Sequence, residues 1–226
     1  LSSKVNDYVK FNSRFIVGGA DSGWATTGAK KNGNNAVAGN GDGNVDVTLS
    51  NAYFGFTAIP NTVVNVGKQG LTTPYTVAVD INGNEQTGTG ILALTTVGPV
   101  TGGLGYFNNT NLDKSGEFAG LFDGGSDMYV ATVQGDLDFV KLEAWYAGLQ
   151  ETFNTYTLAA TSNLDLAENA KLGLEARYVN LKLKQDAAND LNFATAGTGI
   201  AVTDAETKND MFRLAVDGKF SIVNAR

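Results

Sequence analysis

Hydrophobic and polar residues alternate along residues 170–183, which read AKLGLEARYVNLKL. Leu172 and Leu174 fall on one side of this pattern, and Lys171 and Arg177 fall on the other. A β-strand places successive side chains on opposite faces in this way. The segment also has the length of a membrane-spanning strand, about 9–11 residues or more, whereas strands in soluble proteins cluster near about 5–6. The pattern predicts a strand with an apolar face toward lipid and a charged face toward water.

An amphipathic helix is the alternative for this segment, with Asn163 or Asp165 as its cap. The apolar side of that helix would have to include Lys171, whereas the strand pattern misplaces no residue in this part of the segment. A β-strand is therefore favoured.

Nine further segments have the alternation and composition of β-strands. Within residues 45–58 the apolar parity shifts, which predicts a β-bulge near Ser50 and Asn51. No apolar run approaches the about 18 residues that a transmembrane helix needs. The nine segments are 5–17, 45–58, 62–69, 89–97, 100–107, 127–134, 137–149, 152–161 and the last strand, around 212–217.

Long polar loops and tight turns alternate between most of these segments. We expect tight turns at Gly98-Pro99 and Gly135-Asp136 and a turn over residues 162–169. This order is typical of an antiparallel up-and-down transmembrane β-barrel with its tight turns on one side of the membrane. Ten strands are too few for a water-filled pore, so we expect one barrel domain over residues 1–226 within a larger barrel of about 16–18 strands. The long loops are residues 18–44, 70–88, 108–126 and 185–209.

Composition excludes several functions. The net charge of −7 and the lack of a basic run argue against a nucleic-acid partner. The chain has no Cys and no His, which removes thiolate chemistry and the commonest general base. An enzyme is therefore not expected.

Charged residues that share the parity opposite the apolar face are candidates for the pore wall. Opposed acidic and basic rows would orient small polar solutes and favour one sign of ion. The acidic residues Asp80 and Glu85 of the second long loop would lie opposite the basic wall. The predicted pore-lining residues are Lys10, Arg14, Lys68, Lys141, Glu143, Lys171, Glu175, Arg177, Arg213 and Asp217.

Aromatic residues near strand ends suit the interfacial girdles of a membrane barrel. The alternative is the core of a β-sandwich. The residues concerned include Tyr8, Tyr106, Phe107, Tyr129 and Tyr178.

A weak calcium pattern occurs in the first long loop. Asp42, Asn44 and Asp46 have the alternate spacing of oxygen ligands in calcium loops, but no Glu follows at the offset of the bidentate ligand. An ordinary surface loop is favoured over a metal site.

Residues 51–76, NAYFGFTAIPNTVVNVGKQGLTTPYT, resemble the major outer membrane porin family of Campylobacter and its epsilonproteobacterial relatives. The resemblance rests on the aromatic-rich strand before Gly67-Lys68-Gln69 and extends to WYAGLQETFNTYTLAA and LEARYVNL. It implies an outer-membrane barrel, usually a homotrimer, through which small hydrophilic solutes and ions diffuse, with no required cofactor.

The same resemblance implies that the loop of residues 70–88 narrows the pore and that calcium binds among pore carboxylates, here Asp80 and Glu85. Family chains end in a strand with a terminal aromatic, whereas this sequence ends at Asn224-Ala225-Arg226. We therefore expect an internal piece of a longer chain.

A secreted or surface-attached adhesive protein, built as a β-sandwich or β-solenoid, is the main alternative. A solenoid would repeat every 20–30 residues or so, and no such repeat is found. A sandwich would bury its apolar face against a second sheet. An outer-membrane barrel enzyme is disfavoured by the absence of His.

Overall fold

The computed structural model describes residues 1–17, 47–76, 85–112, 125–167, 169–189, 204–220 and 223–225. The strands of these residues form one sheet in which the order of the strands follows the chain. Neighbouring strands of the sheet pair in antiparallel orientation. The strands are β1 (Ser2–Lys4), β2 (Val9–Val17), β3 (Val47–Phe56), β4 (Thr62–Gly70), β5 (Thr87–Val97), β6 (Val100–Thr110), β7 (Met128–Leu137), β8 (Val140–Leu149), β9 (Phe153–Ala167), β10 (Ala170–Leu183), β11 (Lys208–Phe220) and β12 (Val223–Ala225).

The strands β2 to β11 correspond to the ten predicted segments, and the antiparallel meander is confirmed. Strand β10 spans Ala170–Leu183 as predicted, so the helical alternative is wrong. Residues 185–189 form a short helix inside the predicted fourth loop. Within the described ranges, no helix combines the length and apolar character needed to cross a membrane.

The predicted bulge in β3 is confirmed. Arg14 pairs with Asn51 and the next residue, Phe15, pairs with Leu49, so Ser50 is the extra residue. The inserted residue restores the alternation on both sides of the bulge. Phe11 and Phe54 then meet on the apolar face, with ring centroids 5.1 Å apart.

Two predicted turns are wrong. Residues 162–167 belong to β9, where Ser162 pairs with Leu174 and Asp165 pairs with Lys171. Their period-two alternation continues past the polar residues that had suggested a turn. Gly135 and Asp136 likewise belong to β7, and the tight connection is Asp138-Phe139. Turn-forming residues lie inside these strands because the ladder continues through them.

The long and short connections alternate as predicted in most places. Residues 98–99, 138–139 and 168–169 link strands tightly, whereas 18–46, 71–86, 111–127 and 184–207 are long. The link between β8 and β9, residues 150–152, is short at the end where the neighbouring links are long.

Contacts divide the chain into two units. Unit 1 comprises Leu1–Ala58, Val64–Ile91 and Asn109–Gly125, and unit 2 comprises Ile59–Val63, Leu92–Asn108 and Ser126–Arg226.

In unit 2 the apolar residues of alternate positions are the exposed ones. Leu104, Val133 and Leu214 are 68%, 58% and 69% exposed. All three side chains lie on one face of the sheet. The strand register shows this, because directly opposed residues on neighbouring strands and alternate residues along one strand share a face. We call this side the apolar face of unit 2, and the other parity the charged face. A soluble domain normally buries such residues, so this arrangement is inverted.

Tyrosines cross the apolar face of unit 2 near the long connections. The ring centroids of Tyr106 and Tyr129 are 5.3 Å apart, and those of Tyr156 and Tyr178 are 5.8 Å apart. The Tyr106 hydroxyl donates to Asp127 Oδ2 at 3.1 Å, and the Tyr178 hydroxyl donates to Asp210 Oδ1 at 2.6 Å. We call this row the tyrosine belt.

Phe107 does not belong to this belt. It is 1% exposed and pairs with Met128 on the charged face. Its neighbour Tyr106 takes the exposed position because adjacent residues of a strand face opposite ways.

Candidate functional site: the charged face

Two arginines on neighbouring strands form the centre of the charged face in unit 2. Arg177 of β10 pairs directly with Arg213 of β11. Like charges opposite one another repel, and Glu175 offsets this repulsion. Its Oε1 lies 3.0 Å from Arg177 Nε, and its Oε2 lies 3.7 Å from Arg213 Nη2. The side chains of Arg177 and Glu175 are 24% and 21% exposed, so the cluster is half-buried.

A second charged pair extends the cluster to β8. Lys141 Nζ lies 3.3 Å from Glu143 Oε1, and Trp145 Nε1 donates to Glu143 Oε2 at 3.2 Å. Through Ala159 of β9, Glu143 lies at the same level as Arg177. The register therefore brings the predicted residues of β8, β10 and β11 to two adjacent levels.

The remaining predicted residues of this unit lie nearer the tight turns. Lys171 Nζ is 3.0 Å from Asp165 Oδ1, with both side chains largely exposed. Asp217 pairs with Gly173 and lies on the same face, four residues along β11 from Arg213.

Toward the long connections the same face becomes apolar. Phe107, Met128 and Leu149 follow one another across three strands and are at most 2% exposed. Thr157 is fully buried, and its hydroxyl has no hydrogen-bond partner among the residues that the structure describes. Charge on this face is therefore concentrated toward the tight turns.

In unit 1 the structure brings Arg14 and Glu85 together. Arg14 Nη1 lies 2.5 Å from Glu85 Oε2, and Asn51 Nδ2 donates to the same oxygen at 3.0 Å. Lys10 pairs with Gly55, on the parity of Arg14.

Lys68 differs from the other predicted residues of the pore wall. It pairs with Ala52 and therefore shares the parity of Phe54, on the side of β2 and β3 where Phe54 meets Phe11. Its ammonium donates to the Leu49 carbonyl at 2.9 Å. Gly67, whose φ is 130°, precedes it and allows a backbone shape that other residues rarely adopt.

The predicted calcium ligands Asp42, Asp46 and Asp80 lie outside the described residues. The carboxylate of Glu85, the other predicted calcium ligand, accepts hydrogen bonds from Arg14 and Asn51. Across the described ranges, no three or more carboxylate-bearing residues are grouped closely enough to hold a metal ion.

Sequence reasoning missed several partners of these charges. The predicted turn over residues 162–169 leaves Asp165 without a role, although the alternation of residues 163–167 indicates a strand that pairs it with Lys171. The sequence indicates Asn51 only as a bulge position. Asn111, which contacts the backbone at Glu85, carried no sequence signal.

The described strands superpose on part of the β-barrels of solved outer-membrane porins. The outer membrane protein OpdK of Pseudomonas aeruginosa superposes with a TM-score of 0.68 at 10% identity, over 98% of this chain and 55% of that one. OccD3 (OpdP) of the same organism gives 0.62 at 14% identity, over 93% and 44%. OccK8 (OprE) gives 0.62 at 14% identity, over 96% and 56%.

The chain thus spans about half the length of these structures. No protein-family model matches the sequence, and no curated protein matches it. The structural likeness shows that the chain has the fold of part of a larger antiparallel β-barrel.

Proposed function

We propose that this chain forms part of the wall of a water-filled channel in the outer membrane of a Gram-negative bacterium. Small hydrophilic solutes and ions diffuse passively through this channel. The observation that carries the proposal is the inverted sheet of unit 2, where Leu104, Val133 and Leu214 are exposed and charged residues occupy the other face.

Lipid is the environment that suits such a sheet. Exposed apolar side chains are stabilised by hydrocarbon, and paired strands leave their backbone groups satisfied there. The tyrosine belt lies where the amphipathic rings would meet the headgroups. A β-sandwich would bury the apolar face against a second layer, so the adhesive alternative is less well supported.

The complete protein, in this proposal, is a larger barrel than the described strands form. The Pseudomonas porins whose fold it shares are about twice as long as the chain. Membership of the Campylobacter-type porin family and a homotrimeric assembly are part of the proposal, and both rest on the sequence resemblance. Passive diffusion through a channel breaks no bond, so this proposal assigns the chain no enzymatic activity.

We further propose that Arg177 and Arg213 meet anionic solutes on the charged face. Two opposed guanidinium groups offer several donors to a carboxylate, and Glu175 neutralises one of the two positive charges. OpdK has been crystallised with vanillate, a small carboxylate, which makes vanillate a suitable probe here.

Single-channel recording in planar bilayers tests the proposal on the complete, detergent-purified protein. We expect discrete conductance steps with a definite reversal potential in a salt gradient. Arg213→Gln should raise the cation-to-anion permeability ratio, and vanillate should interrupt the current more briefly than in the wild type. Lys182→Gln removes the same charge from the parity of Tyr178, outside the charged face, and should change neither property.

Folded, heat-modifiable protein without conductance steps would contradict the channel. Equal effects of Arg213→Gln and Lys182→Gln would leave the channel standing and contradict the role of the charged face.

A further inference from the structure

We propose that Glu85 is a positioning residue that clamps the start of β5 to the charged side of β2 and β3 and cancels the charge of Arg14 there. Its carboxylate receives three donor contacts. Arg14 Nη1 lies 2.5 Å from Oε2, and Asn51 Nδ2 lies 3.0 Å from Oε2 and 3.3 Å from Oε1. The electrical part of this inference rests on the proposed channel.

Burial distinguishes this ion pair from a surface pair. The Glu85 side chain is 16% exposed, whereas that of Arg14 is 50% exposed. Hydrogen bonds that involve an ionised group are about twice as strong as neutral ones. The Glu85 carboxylate is mostly withdrawn from water and therefore depends on Arg14 and Asn51 as donors. Removal of Glu85 or of Arg14 leaves the remaining charged group without its partner, which costs stability.

The backbone beside Glu85 is held independently of its carboxylate. Asn111 Nδ2 donates to the Glu85 carbonyl at 2.8 Å, and the Thr87 amide donates to Asn111 Oδ1 at 2.7 Å. The Leu71 amide donates to the Gln86 carbonyl at 2.9 Å, which joins the residues at both ends of the connection between β4 and β5. Three consecutive residues are thus bonded to other parts of unit 1.

Two sequence features make room for the clamp. The extra residue Ser50 in β3 puts Asn51 opposite Arg14, so that both donors reach the same carboxylate. Gly70 provides the space, because a Cβ there would lie 2.8 Å from Glu85 Oε1. The bulge and the glycine serve one interaction.

The clamp has an electrical consequence. Paired with Glu85, Arg14 adds no net charge to its side of the sheet. One unit charge about 10 Å from an ion's path in water changes the ion's local concentration by about twofold. Loss of Glu85 should therefore make the channel more favourable to anions, and loss of Arg14 should do the opposite.

A double-mutant cycle in the full-length protein tests this inference. In low salt, Glu85→Gln should lower the cation-to-anion permeability ratio about fourfold, because cations lose and anions gain a factor of about two each. Arg14→Gln should raise the ratio by a similar factor. The double variant should return to the wild-type ratio. Glu85→Asp keeps the charge but shortens the reach, so it should keep the ratio and lower the temperature at which the folded band converts on heating.

Asp7→Asn is the matched control. Lys4 and Asp7 also form an ion pair, 2.6 Å long, but their side chains are 64% and 83% exposed. Exposed pairs contribute little to stability, so this variant should keep the conversion temperature.

Two outcomes would overturn the clamp. One is a permeability ratio that Glu85→Gln leaves unchanged in a conducting channel. The other is a conversion temperature for the double variant that falls by the full sum of the two single shifts. If Glu85 and Arg14 interact, either single substitution already removes their interaction, so the double variant should fall by less than that sum. If neither the wild type nor any variant conducts, the channel fails, and the conversion temperatures still decide whether the clamp exists.

Discussion

Val133→Lys tests whether the apolar face of unit 2 meets hydrocarbon. Val133 is 58% exposed and lies between Gly102 of β6 and Ala144 of β8. From Tyr129 in the tyrosine belt to Val133 the strand rises about 13 Å, which is about 10 Å of depth for a strand tilted by about 40°. A lysine here cannot bring its ammonium to the headgroups without deforming the bilayer.

The expected loss of stability is large for a single exposed residue. A lysine near the middle of the lipid-facing band costs about 2–4 kcal/mol, and the lost contact of valine with lipid adds up to about 1 kcal/mol. Gln134, the next residue, lies on the charged face and donates one hydrogen bond of 3.3 Å to Thr132 Oγ1. Gln134→Lys should therefore cost about 1 kcal/mol or less.

Folding into phosphatidylcholine vesicles allows the two variants to be compared. The unfolding free energy is measured by denaturant titration, with the fluorescence of the two tryptophans as the signal. Equal costs for the adjacent substitutions, or a Val133→Lys cost below about 1 kcal/mol, would refute the assignment of this face to lipid.

Three further predictions follow from local geometry. Gly67→Ala should destabilise the protein by about 2–4 kcal/mol in the same titration, because its φ is 130° and a Cβ would collide with the Ala52 carbonyl. Gly135→Ala should be nearly neutral, since a Cβ there meets no atom within 4 Å, and an equal cost would contradict the steric argument. Thr157→Val should be neutral or stabilise by up to about 2 kcal/mol, because the buried hydroxyl has no partner in the described part of the chain, and a loss of stability would count against this. Glu175→Gln should lower the cation-to-anion permeability ratio in planar bilayers, since two opposed arginines lose their shared counter-charge, and a rise would contradict the assignment of these residues to the water-filled side.

Much of the strand pattern could be predicted because a period of two is a local property. Strand β10 begins and ends at the predicted residues, and a parity shift alone located the bulge at Ser50. The fold class follows from strand length and from the alternation of long and short connections. Strand length, alternation and connection length can all be read from local sequence, without knowledge of contacts between distant residues.

The partners of the charged residues could not be predicted in the same way. Arg14 and Glu85 are 71 residues apart, and nothing near either residue identifies the other. The direct opposition of Arg177 and Arg213 depends on the register of β10 with β11, which a connection of residues 184–207 leaves open. Lys68 follows Val64 and Val66 at alternate positions of β4, so the register with β3 places it on the parity of Phe54.

The order of the strands also bears on how the chain reaches its final state. Each strand pairs with its predecessor along the chain, and several hairpins close over only two residues, such as Asp138-Phe139. Most of these pairings span short sequence distances, so the entropy lost at each closure is small. Assembly can therefore proceed by adding one hairpin at a time, which would limit the period during which an unpaired edge is open to aggregation.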